Sequence, residues 1–338
     1  MDPVTQGALG AILPQSMRTK WLRNHKYHVA LAGFLGMVGG MSADLDVFIS
    51  SDTDPLFFLK YHRQFTHSLI FIPFGGLVVA LLMHWALGQR CHLRFFQTVL
   101  LCSLGYATHA LLDTTTSYGT MLLWPFIETR YSLNIISIVD PLFTIPLLLA
   151  AAISAIYSKP NIARIGLAWV LIYLFAGFIQ HQGALQIAKN LAISRGHLPL
   201  RFEIKPSFGN ILVWKSVYQA NDKFFIDAMR VGIAPQVYEG SSVSKLNPTN
   251  DFPWLIPHSQ QAQDIGRFDH FSDGFSALDP ENPNRIIDVR YSFVPNEISP
   301  LFSIELEPSA DLTRHVHYNT ERKQAYKKLS QLWDMLFE

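Results

Sequence analysis

Histidine and aspartate gather in three short clusters within the first 113 residues: Ser42-Ala43-Asp44-Leu45-Asp46, His62-Arg63-Gln64-Phe65-Thr66-His67-Ser68 and His109-Ala110-Leu111-Leu112-Asp113. Imidazole and carboxylate donors without a thiolate suit Zn²⁺, Mn²⁺ or Fe²⁺. His109 and Asp113 are four residues apart, so on a helix they point within about 40° of each other and can reach one ion. His62 and His67 are five apart, which a helix would aim in different directions. One is therefore expected on a loop and the other in a first helical turn, with Thr66 or Ser68 near the helix start. Asp44 and Asp46 share a side only if that piece is extended, so one is expected to ligate and the other to orient a histidine from behind. The expected ligands are Asp46, His62, His67, His109 and Asp113. Together with Asp44 they exceed the three or four donors of one zinc site, so one or two ions are expected, zinc first and manganese or iron as alternatives.

Each cluster sits at the end of an apolar run. Apolar residues make up 49% of the 338 positions and charged ones only 16%, and the mean hydropathy is positive, a composition foreign to most soluble chains. Residues 69–87, 95–112, 131–158 and 165–188 each approach the length that crosses a ~30 Å hydrocarbon core at ~1.5 Å per residue. Two shorter runs, 3–14 and 29–43, are expected as tightly packed members of the same bundle. The second has small residues at Ala32, Gly36 and Gly40, spaced so that two membrane helices can approach closely. Ionisable groups in such places are expensive to hold near lipid and mark function. Asp140 is a further one, expected within the 131–158 helix about 10 Å below its face, with the metal cluster or Arg63 as partner. Asp44 or Asp140 is the expected general base, and Arg63 the clamp for a phosphate or carboxylate. His181, near the end of the last span, is a weaker ligand candidate and reads more simply as a packing residue.

After about residue 195 the texture changes. Period-two alternation in 287–293 and 302–307, and strand-like runs at 201–205, 211–219 and 223–230, predict a soluble, mostly β domain. It closes on a helix from about Thr320 to Phe337 with Tyr326, Leu329, Leu332, Trp333 and Leu336 on one face. The expected architecture is an α-helical integral membrane bundle of about six segments over 1–195, followed by the β-rich domain over 196–338.

If the segments alternate in direction, Arg18, Lys20, Arg23, Lys26, Arg90, Arg94, Lys159 and Arg164 fall on one side and only Lys60, Arg63 and Arg130 on the other. Basic loops stay in the cytoplasm, so the clusters and the β domain are expected to face the periplasm. The opening lacks the shape of a signal peptide, so Met1 or Asp2 is expected to be retained. Cys91 and Cys102 are expected as apolar fillers rather than as a disulfide or metal site, and the net charge of +1 speaks against a nucleic-acid partner.

The opening Met-Asp-Pro-Val-Thr, Asp44-Leu45-Asp46, His62-Arg63-x-x-Thr66-His67-Ser68, His109-x-x-x-Asp113 with the following Thr-Ser-Tyr118-Gly119, and Val139-Asp140-Pro141-Leu142 resemble the bacterial inner-membrane, metal-dependent hydrolases of the YdjM-like (DUF457) group. Phe271-Ser272-Asp273-Gly274-Phe275 and Asp288-Val289-Arg290-Tyr291 resemble the C-terminal extension of longer members. The resemblance implies a metal-bound hydrolytic centre in the inner membrane and brings Asp2 and Gln6 into view as secondary candidates beside Thr66. Members commonly carry a histidine where this chain has Gln6, so one coordination position is expected to be missing, filled by the amide oxygen or open to water.

Each cluster alone has a plainer reading, as a helix cap, an interfacial histidine or a hydrogen-bonded helix pair, and the remaining histidines take it; one metal site explains all three clusters at once. The reading that follows is a hydrolase acting on an ester or phosphoester of a lipid or lipid-linked substrate, with the β domain as lid or docking surface for a protein partner. Two rivals stand beside it. A metal-ion or proton transporter needs polar residues continuing to the other face, where the helices offer little beyond His84 and Gln97. A scaffold with a structural metal needs a closed four-ligand site.

Overall fold

The structure, a computed structural model, describes residues 1–17, 28–321 and 325–337. Arg18, Lys20, Arg23 and Lys26 of the basic loop, and the side chain of Tyr326, lie outside the described residues. By packing, the chain forms two compact units: residues 1–49 with 61–178, and residues 50–60 with 179–338. The second thus takes in a short segment between the first two His/Asp clusters.

The first unit is helical: α1 (Pro3–Gln15), α2 (His28–Ser42), α3 (Phe57–Tyr61, whose last residue alone belongs to this unit), α4 (Ile72–Met83), α5 (Phe95–Thr115), α6 (Pro141–Tyr157) and the start of α7 (Pro160–Ser194). Among the described residues, four helical stretches are long and apolar enough to cross a membrane, His28–Phe48, Leu69–Gly88, Phe95–Thr115 and Pro160–Ser194, with Pro141–Tyr157 a shorter apolar helix. In lipid, apolar burial does little to drive helices together, so close backbone approach and interhelical hydrogen bonds must do it. Glycines supply that approach. A Cβ on Gly36 would lie 2.2 Å from the Gly10 carbonyl oxygen, and one on Gly105 would lie 1.9 Å from that of Gly36. Helices α1, α2 and α5 are locked at a separation that only glycine allows, and Leu35, Leu101, Cys102 and Tyr106 fill the interior beside them.

The helix expected over 131–158 begins only at Pro141. Asp140 is its N-cap, accepting from the Phe143 N–H; proline at the first helical position is preorganised for that start. Asp140 is therefore a cap and not a residue about 10 Å inside a span.

The second unit holds two antiparallel sheets. One has β1 (Arg201–Pro206), β2 (Val213–Ala220), β3 (Lys223–Arg230) and β4 (Gln236–Tyr238) in order, with β5 (Ser242–Ser244) also on β3. After the short α8 (Pro248–Asp251) and α9 (Gln260–Phe271), the other runs β6 (Ser276–Asp279), β7 (Asn282–Asp288), β8 (Phe302–Glu305), β9 (His317–Thr320). Val217, Phe224 and Ile226 from the first sheet meet Phe275, Ala277, Ile287 and Val289 in one core. The alternation over 287–293 is half strand: β7 stops at Asp288, where the Arg290 guanidinium folds back onto the Asp288 carboxylate at 2.7 Å. The final helix is α10 (Ala325–Phe337). It buries Leu332 and Met335 and leaves Leu329 and Trp333 exposed, so the expected single apolar face is split.

Candidate metal centre

The three clusters meet at one end of the helical unit: after the C-terminus of α2, before the N-terminus of α4 and in the last turns of α5. The chain leaves α2 in a 3₁₀ turn, Ala43–Phe48. At about three residues per turn, residues two apart point about 120° away from each other, so Asp44 is turned toward His67 and His109 while Asp46 is turned toward His62 and Thr66. The second cluster turns at Arg63, whose φ is +60°, and enters another 3₁₀ turn, Phe65–His67. His67, His109 and Asp113 are wholly buried there.

Four donor atoms converge. His67 Nε2 and His109 Nε2 are 3.0 Å apart. Asp44 Oδ1 lies 3.4 Å from the former and 3.2 Å from the latter, and Asp113 Oδ2 lies 3.4 and 3.6 Å from them. A tetrahedron around Zn²⁺ with bonds of ~2.0–2.1 Å has edges of ~3.3–3.4 Å. The five separations, 3.0–3.6 Å, scatter around that figure.

The far side of each imidazole fixes which nitrogen carries the proton. His109 Nδ1 is 2.5 Å from the Gly40 carbonyl, which can only accept. His67 Nδ1 is 2.9 Å from Thr66 Oγ1, and that hydroxyl donates onward to Asp46 Oδ2 at 2.7 Å. Both Nε2 lone pairs therefore face inward, as in metal-binding histidines oriented by a carboxylate or carbonyl. Asp113 Oδ2 is buried, and besides the two imidazoles it faces the Arg63 guanidinium, whose Nε is 3.0 Å away. Two imidazole nitrogens and two carboxylate oxygens within reach of one point could hold a metal ion, while the Arg63 guanidinium and the Met1 ammonium already stand against the Asp113 carboxylate.

Asp46 does other work. Its Oδ2 also accepts the Arg63 backbone N–H at 3.0 Å, and its Oδ1 pairs with His62 Nδ1 at 2.7 Å. In the four-donor set the place expected of Asp46 is taken by Asp44, while Asp46 lies behind both histidines of the second cluster. His62 stands outside the four. With Asp44 and Asp46 it makes a second group of donors, which could take a second ion with Asp44 shared. Arg63 is buried, its Nε 3.0 Å from Asp113 Oδ2 and its Nη1 donating to Thr116 Oγ1 at 3.2 Å.

Residues 1–184 match the YdjM inner membrane protein family, more than half of the chain. The chain belongs to that family. The Bacillus subtilis uncharacterized protein YfhP is 25% identical over 136 residues, 40% of this chain and 40% of its own length, so the chain spans less than half of that relative. No solved structure matches. YdjM membership fits the membrane location that the apolar helices indicate, and the matched region contains every residue of the site.

The remaining candidates of this YdjM-family chain fall elsewhere. Asp140 pairs with the Tyr173 hydroxyl at 2.8 Å, not with the cluster or Arg63. Asp2 caps α1, accepting from the Val4 and Thr5 N–H groups. Gln6 reaches the site through its other end from that expected: Nε2 donates to Asp113 Oδ1 at 2.8 Å, holding that oxygen so that Oδ2 is turned to the histidines. His181 packs edge-on against Trp214 in the second unit. Nothing in the residue types pointed to the Gly40 carbonyl or to Tyr106, whose hydroxyl pins the Thr66 carbonyl at 2.8 Å. Only the small-residue stripe hinted that α2 backbone would meet α5.

Proposed function

We propose that the chain is a metal-dependent hydrolase of the membrane surface, cleaving an ester or phosphoester of a lipid or lipid-linked substrate. The observation that carries this is the convergence of Asp44, His67, His109 and Asp113 with both imidazole tautomers fixed. A divalent ion held there would supply a water acidified toward neutral pH and an electrophile for an acyl or phosphoryl oxygen. The chain's own groups do the rest. Asp44 and His62 are the partly exposed members, with side chains 24% and 20% accessible, so substrate enters on their side. His62, oriented by buried Asp46, is placed to take and return a proton, the arrangement of a carboxylate-steered general base. Arg63 balances the Asp113 charge and stands beside the developing negative charge of an ester or phosphoryl group.

The helix ends that carry the site are opposite those bearing Arg90, Arg94, Lys159 and Arg164, which supports a multi-pass chain with its centre toward the periplasm. A second reading has one observation in its favour: four protein donors can fill a tetrahedral site, as in structural zinc. Full-length protein with its ion, offered lipid esters and phosphodiesters, separates the two. Hydrolysis that chelator abolishes, and that His62→Gln lowers by about 10²-fold at unchanged metal content, supports the enzyme. No turnover of any such substrate by metal-loaded protein supports the scaffold.

A further inference from the structure

The second unit presents an apolar end whose level along α7 is fixed by its own contacts. The Gln180 side-chain amide donates to the Val231 carbonyl at 3.5 Å, a Cβ on Gly183 would lie 2.8 Å from Val231, and His181 meets Trp214. One strand length further on, Ala192 packs with Tyr218 and Ala220. Strand β2 therefore runs alongside α7, with Val213 at the level of residues 180–183 and Ala220 at the level of 192. The β1–β2 and β3–β4 loops share the former level, since the Val231 N–H donates to the Leu212 carbonyl. The C-terminal end of α10 is there too: Arg230 Nη1 donates to the Leu336 carbonyl at 3.3 Å, and Val213 packs with Leu332 and Met335.

That level coincides with the end of the apolar part of α7. From Pro160, about 20 residues at ~1.5 Å each span a ~30 Å hydrocarbon core and reach residue 180. Ile172, Phe175 and Ile179 are exposed, and Gln180-His181-Gln182 follows. At this boundary five large apolar side chains are also exposed: Phe208, Leu212, Ile233, Trp333 and Phe337, with Ile233 fully so. The loop residues 231–235, Val-Gly-Ile-Ala-Pro, carry no charge. A cluster of that size is unusual on a surface facing water, and aromatic residues favour the interface between headgroups and acyl chains.

We infer that this end of the β unit is a lipid-docking surface, with the β3–β4 loop seated in the headgroup region of the bilayer that α7 crosses. It rests on the chain's place in a membrane and not on the hydrolase reading, so either can fail alone. The occupant is the lipid surface itself because the same helix that carries the unit delivers the loop to that depth.

The test uses full-length protein in phosphatidylethanolamine–phosphatidylglycerol nanodiscs, with Cys91→Ser and Cys102→Ala to remove competing thiols. Ile233→Cys and, at the opposite end of the sheet, Lys223→Cys each carry an environment-sensitive fluorophore. Both positions are exposed, so neither label should disturb the fold. Emission from position 233 should shift to the blue and lose most of its intensity when headgroup-region nitroxide lipids are added, while position 223 stays aqueous and unquenched. Equal aqueous emission at both positions overturns the proposal. So does a blue shift at 233 that nitroxide lipids leave intact, which would mean cover by a second copy or another protein.

Discussion

Replacing Asp46 and Asp44 separately asks whether their roles are divided as the geometry has them. Asp46→Asn keeps one oxygen for the Arg63 N–H and the Thr66 hydroxyl, but the carboxylate charge behind His67 is lost. The path from His67 Nδ1 through Thr66 Oγ1 to Asp46 Oδ2, at 2.9 and 2.7 Å, then ends on a neutral acceptor, and His67 Nε2 becomes a weaker donor. Losing such an orienting partner costs about 10–100-fold in metal affinity, or about 1.4–2.7 kcal/mol. Asp44→Ala removes a donor 3.2–3.4 Å from both imidazole nitrogens and should cost more, so the ion is lost on gel filtration. Competition against a chelator of known affinity, with elemental analysis of the protein fraction, reads both. Asp46→Asn with full stoichiometry and a weakened constant fits the account. The division of roles is refuted if Asp46→Asn sheds the ion as completely as Asp44→Ala does, or if Asp44→Ala retains it.

Gly105→Ala puts a methyl 1.9 Å from the Gly36 carbonyl oxygen, and since backbone cannot yield there, it should abolish folded, metal-loaded protein on size-exclusion chromatography, whereas Gly266→Ala, which meets nothing within 4 Å, should not. Asp140→Asn retains an oxygen for the α6 cap and a polar partner for Tyr173, so metal content should be unchanged and the melting temperature nearly so; Asp140→Ala removes a cap worth ~1 kcal/mol and leaves the Tyr173 hydroxyl unsatisfied, and should melt visibly lower. Burial pushes the Lys215 ammonium down to about 7, against the pull of Asp288, Glu297 and Asp227. The unfolded lysine titrates near ~10.4, so the unfolded chain binds more protons between those values and stability should rise with pH from about 7 toward 10. Melting temperatures of full-length protein across that range should show the rise, and Lys215→Met should flatten it.

Most of the site was legible because its chemistry is written in residue type and helical spacing. His109 and Asp113 meet one point because α5 is regular, and Gly36 and Gly40 mark close packing because nothing else explains small residues four apart in an apolar run. What spacing could not show was local conformation. The 3₁₀ turn after Ser42 and the left-handed Arg63 decide that Asp44 faces the histidines while Asp46 lies behind them, and neither leaves a mark in composition. Asp140 misled because an apolar stretch before it, residues 131–139, looks like helix, although the Pro141 that follows is a start signal. Likewise 287–293 alternates beyond the end of β7, because Arg290 turns inward to neutralise Asp288 rather than to continue the ladder. The outer face of α10 carries Leu329 and Trp333 in the open, which helical periodicity alone would bury.

X-ray absorption at the metal edge of full-length protein, purified without chelator, tests the central claim most directly. The account predicts about one tightly held ion per chain, with two imidazoles and two carboxylate oxygens at ~2.0–2.2 Å and one imidazole lost in His109→Ala. Protein that carries no transition metal, or a shell with sulfur or with fewer than two imidazoles, would contradict it.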